Sequence, residues 1–213
     1  YLGDGALNQG AFHEAMNLAA IWNLPIIFVL ENNGYSMGTA IHRGTSASDD
    51  MSVKAAAYGM RYAECNGMDV LEVYNTFKRE VDKSRGSTSA ALGLKDKGEG
   101  PCFINVKTER YKGHSMSDPQ KYRDKSAYEK MHKDEVKDPI LKLTIHLIDK
   151  GLATQEEIDE LDARAKKLAI EAVEFANESP DTPVEELYTD VYSEPFGPYK
   201  VGDLPEMLKG KEE

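Results

Sequence analysis

The first thirty-six residues leave this chain little choice of fold. Leu2 leads at once into Gly3-Asp4-Gly5-Ala6. Pro25 then opens the apolar run Ile26-Ile27-Phe28-Val29-Leu30, which ends in Glu31-Asn32-Asn33-Gly34-Tyr35. The β-branched and aromatic run after a proline reads as a strand. Between the two, Ala11, Ala15, Leu18, Ala19 and Trp22 recur at helical spacing. Strand, helix and strand make a βαβ unit, which is right-handed in nearly all proteins. Asp4 and Asn33 then stand together at the carboxyl ends of parallel strands, where open α/β sheets bind their ligands.

That pair has a chemical use. Asp4 offers an anionic oxygen and Asn33 a neutral amide oxygen. A magnesium ion takes about six oxygens in near-octahedral geometry and commonly shares them between protein and phosphate. Gly3 and Gly5 let the backbone approach a phosphate closely near a helix start. Asp4 repels a phosphate unless a cation lies between them, so a metal resolves an otherwise unfavourable contact.

Gly3-Asp4-Gly5 followed by Asn32-Asn33, with Asn33 at a spacing of 29 from Asp4, resembles the thiamine diphosphate motif. The fuller strings Gly5-Ala6-Leu7-Asn8-Gln9-Gly10 and Glu31-Asn32-Asn33-Gly34-Tyr35-Ser36-Met37-Gly38-Thr39 resemble the alpha subunits of pyruvate dehydrogenase. These are the thiamine diphosphate-dependent first component of the 2-oxo acid dehydrogenase complexes. His114-Ser115-Met116-Ser117-Asp118-Pro119 and Asp138-Pro139-Ile140 fit the same family. The resemblance covers nearly the whole chain. It implies an α/β thiamine diphosphate-binding fold, a mostly parallel sheet flanked by helices with a helical C-terminal part. Residues 1–135 are expected to be the C-terminal portion of the diphosphate-binding domain. Residues 136–213 are expected to be a helical extension packed on it. The family carries a substantial segment ahead of the motif, so the resemblance also implies a fragment lacking the first strands.

The same resemblance assigns roles. Asp4, Asn33 and the Tyr35 backbone carbonyl are expected to ligate Mg2+. Gly3, Gly5 and Ala6 are expected to border the diphosphate, with the Gly5 and Ala6 N–H groups holding it. His114 is the expected catalytic residue and also reaches the cofactor. The cofactor carries the hard chemistry. Its thiazolium carbon adds to the 2-oxo carbon of a small-molecule 2-oxo acid, carbon dioxide leaves, and the acyl group passes to the lipoyl domain of the acyltransferase component. The glutamate that activates the cofactor belongs to the beta subunit in this family, so a heterotetramer with that subunit is expected. Ser36-Met37-Gly38-Thr39 and the His114 loop resemble the pyruvate enzymes more than those for acetoin or branched-chain 2-oxo acids, which remain alternatives. A non-catalytic nucleotide- or cofactor-binding domain is the alternative of a different class; no G-x-G-x-x-G run follows a strand to support a dinucleotide. Ser115 matches a serine phosphorylated in mitochondrial members. The family's later phosphorylated serine is missing, since Gln120-Lys121-Tyr122-Arg123 follows Pro119. That tilts the expected location to a bacterial cytoplasm, with the mitochondrial matrix as the alternative.

Composition narrows the partners. The 213 residues carry a formal net charge of −11, which argues against nucleic acid and anionic membrane surfaces. No apolar run approaches the roughly 20 residues of a membrane span. Cys65 and Cys102 lack metal-ligand spacing, and Cys102 falls in the strand-like run Cys102-Phe103-Ile104-Asn105-Val106, as a buried thiol does.

The rest of the chain supplies the walls. Further helices are expected over residues 52–58 and 70–82, the second with Val70, Val73, Tyr74, Phe77 and Val81 on its apolar side, and a short strand over 61–65. Ser84–Gly100 reads as an insertion or surface loop. Lys107–Lys125 is nearly free of aliphatic residues and carries Lys107, Arg110, Lys112, Lys121, Arg123 and Lys125. It is expected to be mobile alone and to order over an anionic cofactor. Asp138 can cap a helix with Pro139 in its first turn, and Gly151 can end it. Thr154-Gln155-Glu156-Glu157 reads as a capping box. It opens a helix with Ile158, Leu161, Ala165, Leu168, Ala172 and Phe175 on one face. Tyr188, Val191, Tyr192, Phe196 and Tyr199 read mostly as packing residues of the tail, with a subunit contact as the second reading.

Overall fold

A computed structural model describes residues 1–86, 88–89, 94–95, 98–123 and 137–189. Lys125, His132, Val191, Tyr192, Phe196 and Tyr199 lie outside the described residues. Two compact units, residues 1–154 and 155–213, are distinguished.

The first unit is built on four parallel strands in the order β1-β2-β8-β5. They are β1 (Leu2–Gly3), β2 (Ile27–Asn32), β5 (Arg61–Asn66) and β8 (Cys102–Lys107). Helix α1 (Gly10–Ile21) joins β1 to β2, so the expected βαβ unit is present. The register sets Gly3 opposite Glu31 and both Asn32 and Asn66 opposite Lys107. The strands therefore end level, and Asp4 and Asn33 begin the loops at one edge. A short hairpin of β3 (Tyr35–Ser36) and β4 (Thr39–Ala40), then α2 (Ile41–Gly44) and α3 (Ser52–Ala56), follow β2. Helix α4 (Val70–Arg85) packs against β5 and β8. Within the Ser84–Gly100 segment, β6 (Thr88–Ser89) and β7 (Leu94–Lys95) pair antiparallel. Helix α5 (Pro139–Asp149) opens as expected, with Asp138 Oδ1 accepting from Ile140 and Leu141 N–H at 2.8 and 2.9 Å. Gly151, at φ 63°, follows its end.

Alternating strand residues divide the core between two faces. Leu30 and Phe103 meet Leu7, Met16, Met51, Ala55 and Met60 on one side. Val29, Ala63, Cys65, Cys102, Ile104 and Val106 meet Val73 and Phe77 on the other. Cys102 is fully buried as expected, and its thiol is pushed up to about 12 by burial and the nearby Glu80 charge.

Two helix faces differ from the sequence expectation. In α1 the buried positions are Met16 and Ala19, with Phe12 against the same core. Ala11, Ala15, Leu18 and Trp22 face outward. The helix is apolar on most sides, so its spacing admitted two solutions. In α4, Val70 and Tyr74 are exposed, and Thr76, Glu80 and Ser84 are buried. Glu80 pairs with Arg61 from β5, whose guanidinium also donates to Ser84 Oγ at 2.6 Å and the Gly100 carbonyl at 3.0 Å. A buried ion pair, absent from a purely apolar reading, thus fixes α4 to the sheet.

The second unit is dominated by α6 (Gln155–Glu178), none of whose residues is buried. No described helix is long and apolar enough to cross a membrane.

Candidate functional site

At the strand ends the chain turns sharply. After Gly3, Asp4–Asn8 forms one 3₁₀ turn before α1 begins. Asp4 is 3% exposed, and its Oδ2 has no hydrogen-bond partner. Burial raises the carboxyl above its ordinary range; the Gly5 and Asp4 backbone N–H groups and the Arg110 charge oppose this without cancelling it. A buried carboxylate oxygen with no partner is costly, and a native fold keeps one only for a reason. Gly5 is required sterically, because a Cβ there would overlap the Ser36 hydroxyl on β3.

Asn32 and Asn33 each fold a side chain back on the loop. Asn32 Oδ1 accepts from Gly34 N–H at 3.1 Å, and Asn33 Oδ1 accepts from Tyr35 N–H at 3.2 Å. Such turns suit asparagine, and Gly34 takes φ 79° between them. The Asn33 oxygen thereby spends one lone pair and keeps the second. Gly3, Asp4, Gly5, Ala6, Asn33 and Tyr35 are thus gathered at one sheet edge. Asn33 also lines a cleft of about 540 Å³ with Tyr1, Glu31, Thr108 and apolar residues of the second sheet face.

His114 does not line that cleft. It lines a second cleft, about 440 Å³, with Lys112, Gly113, Ser115, Met116, Asp118 and Gln120. Its backbone N–H donates to Asp118 Oδ2 at 2.8 Å. Asp118 also accepts from Gln120 N–H at 2.9 Å and from the Tyr122 hydroxyl. Hydrogen bonds from Tyr122, His114 and Gln120 hold its carboxyl down to about 2. Arg123 donates to the Arg110 carbonyl at 2.6 Å and to the Lys112 carbonyl. The loop expected to be mobile without ligand is therefore tied to itself through Asp118 and Arg123.

Arg110 connects the two places. It donates to the Met37 carbonyl at 2.9 Å and to the Tyr122 hydroxyl at 2.6 Å, while its own Nε is buried without a partner. The Tyr122 ring stands 5.3 Å from that of Tyr35. Arg110 acts electrostatically on both Asp4 and Asp118. Sequence reading placed it among six cations of the loop; nothing in the charge pattern marks it as the one whose charge acts on Asp4.

No group of three or more His, Cys, Asp and Glu side chains able to hold a metal occurs among the described residues. Asp4 with amide and backbone oxygens would suit a magnesium ion that takes its remaining ligands from phosphate and water, as such sites do.

The dehydrogenase E1 component family matches residues 1–185. The chain is 40% identical over 191 residues to the pyruvate dehydrogenase E1 component subunit alpha of Rhizobium meliloti (strain 1021), covering 90% of this chain and 51% of that relative. The corresponding subunit of Rickettsia bellii (strain RML369-C) is 39% identical over 192 residues, covering 90% and 54%. Subunit alpha-3 of Oryza sativa subsp. japonica, a chloroplastic pyruvate dehydrogenase E1 component, is 36% identical over 200 residues, covering 92% and 43%. The chain spans about half the length of the curated relatives it matches. With a family match over most of its residues, the chain belongs to the dehydrogenase E1 component family.

Proposed function

We propose that this chain supplies the diphosphate-binding part of the alpha subunit of a thiamine diphosphate-dependent dehydrogenase acting on pyruvate. The observation that carries the reading is the buried, unpartnered Asp4 oxygen at the sheet edge beside Asn33. The names of the relatives support pyruvate as substrate and a component built of more than one kind of subunit.

Asp4 Oδ2, the second lone pair of the Asn33 oxygen and the Tyr35 carbonyl would hold Mg2+. The Gly5 and Ala6 N–H groups would meet the diphosphate, with Gly3 leaving it room. Arg110 would supply a cation on the diphosphate side, as its unpartnered Nε and its field on Asp4 support. When bound, thiamine diphosphate supplies the nucleophilic carbon and the electron sink for decarboxylation. His114 donates a proton or hydrogen bond to a phosphate oxygen or to the substrate, from a loop that Asp118 holds in shape. Asp118, its carboxyl about 2, stays ionised throughout the neutral range and keeps that grip. The beta subunit would complete the site, and a lipoyl domain would take the acyl group. Residues 1–135 would form the diphosphate-binding portion and 136–213 its helical extension.

Branched-chain 2-oxo acids and acetoin remain the competing substrates. The test assembles the complete alpha and beta subunits and compares decarboxylation of the three substrate classes. Pyruvate is expected to turn over fastest. His114→Ala is expected to lower turnover about 10²–10⁴-fold, the usual loss for one positioned acid–base or hydrogen-bonding group. Binding of thiamine diphosphate equally well with and without Mg2+ would sink the assignment of Asp4.

A further inference from the structure

The two exposed methionines among the described residues both stand at turn corners beside this loop. Met116 is fully exposed and Met37 is 62% exposed, whereas Met16, Met51 and Met60 are buried. The Sδ of Met68 accepts a hydrogen bond from Glu109 N–H at 3.4 Å. Turn corners ordinarily carry Gly, Pro, Asn, Asp or Ser. Met116 is held at its corner: the Ser115 carbonyl accepts from Asp118 N–H at 3.1 Å, and the Ser115 and Ser117 hydroxyls bond at 3.1 Å on either side of it. Met37 sits at the tip of the β3–β4 hairpin with φ 53°, and its carbonyl receives Arg110. Both side chains stand largely in solvent.

We propose that Met116 is a redox-sensitive modification site whose oxidation weakens cofactor binding by the His114 loop. This rests on the reading above that His114 donates from this loop to the diphosphate. The reaction needs a peroxide as oxidant. The Met116 sulfur lone pair attacks one peroxide oxygen and an S–O bond forms. The O–O bond breaks and, with a proton shift, water leaves. Sulfur loses two electrons and the peroxide gains them. The product exchanges an apolar thioether for a polar sulfoxide, the step that methionine sulfoxide reductases reverse. In the cleft, Met116 shares its walls with Lys112, His114 and Asp118. A sulfoxide oxygen there accepts hydrogen bonds from the Lys112 ammonium and the His114 ring. His114 is a donor that the reading above gives to the diphosphate, so the oxidised side chain competes with the cofactor from inside the loop. Met37 oxidation acts less directly, since its link to Arg110 runs through the backbone carbonyl and survives a change at sulfur.

The test treats the complete alpha–beta enzyme, free of cofactor, with hydrogen peroxide. Peptide mass spectrometry follows each methionine, and calorimetry follows thiamine diphosphate affinity with Mg2+. Met116 is expected to gain oxygen first. Affinity is expected to fall about tenfold, the factor one lost hydrogen bond of ordinary strength is worth. Methionine sulfoxide reductase should restore it. Met116→Leu, of similar volume, should hold its own starting affinity under peroxide, and Met116→Gln, with a permanent polar acceptor, should show the weakened binding untreated. Faster oxidation of a different methionine, protection of Met116 in the assembled enzyme, or oxidation of Met116 with affinity unchanged overturns the inference. An enzyme that binds the cofactor but decarboxylates no 2-oxo acid overturns the proposed activity alone, because affinity still reads the effect of Met116.

Discussion

Replacing Asp4 by Asn separates what this carboxylate costs the fold from what it does for a ligand. Asp4 is 3% exposed with one oxygen unpartnered. Leaving a buried polar atom unsatisfied costs about 1–3 kcal/mol. Asn removes the charge but leaves an amide N–H₂ in the same place, so only part of that cost returns, about 1 kcal/mol. In a chain of some 150–250 residues, about 1 kcal/mol moves the melting temperature by about 2–4 °C, and less in a longer subunit. With a chelator present, the Asp4→Asn enzyme is therefore expected to melt slightly higher than the parent. The pH dependence fixes the cause. Burial raises the folded Asp4 above its unfolded value of 3.8. The folded state thus binds the proton more tightly, and the penalty is full above the folded value. It disappears as pH falls through the folded value and then the unfolded one. The advantage of Asn should accordingly be complete at neutral pH and shrink on acidification.

Adding Mg2+ and thiamine diphosphate should reverse the order. A ligand at a hundred times its dissociation constant stabilises the folded state by about 2.7 kcal/mol. The parent should gain that, and the variant, lacking the anionic ligand, should gain less. Differential scanning calorimetry over a pH series, with chelator or with both ligands, reads all of this. An Asp4→Asn enzyme that melts below the parent in chelator at neutral pH would show that the carboxylate is already satisfied in the empty fold.

Three further outcomes follow from the geometry. Asp118→Ala removes the acceptor of three loop hydrogen bonds, so trypsin should cut after Lys112 and Lys121 faster than in the parent, and cofactor with Mg2+ should slow both proteins; identical cleavage rates would mean the network contributes no order. Arg110→Gln should weaken inorganic pyrophosphate binding in the presence of Mg2+, and equal affinity by calorimetry would remove Arg110 from the anion site. Arg61→Met leaves Glu80 buried without its strand partner. Burial raises Glu80, while the Arg79 hydrogen bond and the Lys83, Arg61 and Arg79 charges bring it below its ordinary range. Glu80 keeps Arg79 and Lys83, so the loss should stay below the cost of about 3–5 kcal/mol for an uncompensated buried charge; the urea midpoint should still fall, and an unchanged midpoint would refute a stabilising role.

How much of this was legible in the sequence depended on how local the cause was. Gly34 and the two asparagines declare their turns within three residues, and Asp138-Pro139 declares a helix start. Leu30 and Phe103 belong to short β-branched and aromatic runs that only a buried strand can use. The face that α1 turns inward was not legible, because Phe12, Met16 and Ala19 compete with Leu18, Ile21 and Trp22 around the same helix. The buried face of α4 was hidden for the opposite reason. Thr76, Glu80 and Ser84 are polar, and Arg61, nineteen positions before Glu80, partners both Glu80 and Ser84 from the neighbouring strand. The hydrogen bonds within the His114 loop were not legible either: its low aliphatic content gives no sign that Asp118 and Arg123 tie together residues up to thirteen positions apart.

The site itself carries two opposite deficits. Asp4 has a buried oxygen that lacks a donor, and Arg110 has a buried nitrogen that lacks an acceptor. The two groups attract, as the downward pull of Arg110 on Asp4 records, yet burial still prevails and the Asp4 carboxyl stays raised. Direct pairing would satisfy both and close the site. What keeps them apart is visible in the bonds Arg110 does make, to the Met37 carbonyl on the hairpin and to the Tyr122 hydroxyl on the loop. Those bonds anchor the guanidinium to elements that Asp4, on the 3₁₀ turn after β1, does not belong to. A lone cation would answer Asp4 and worsen the field at Arg110, and a lone anion would do the reverse. A cation bound to a diphosphate would answer both at once. The unmet polar groups of Asp4 and Arg110 thus support the proposed metal–diphosphate reading by a route that does not use the glycine and asparagine motif.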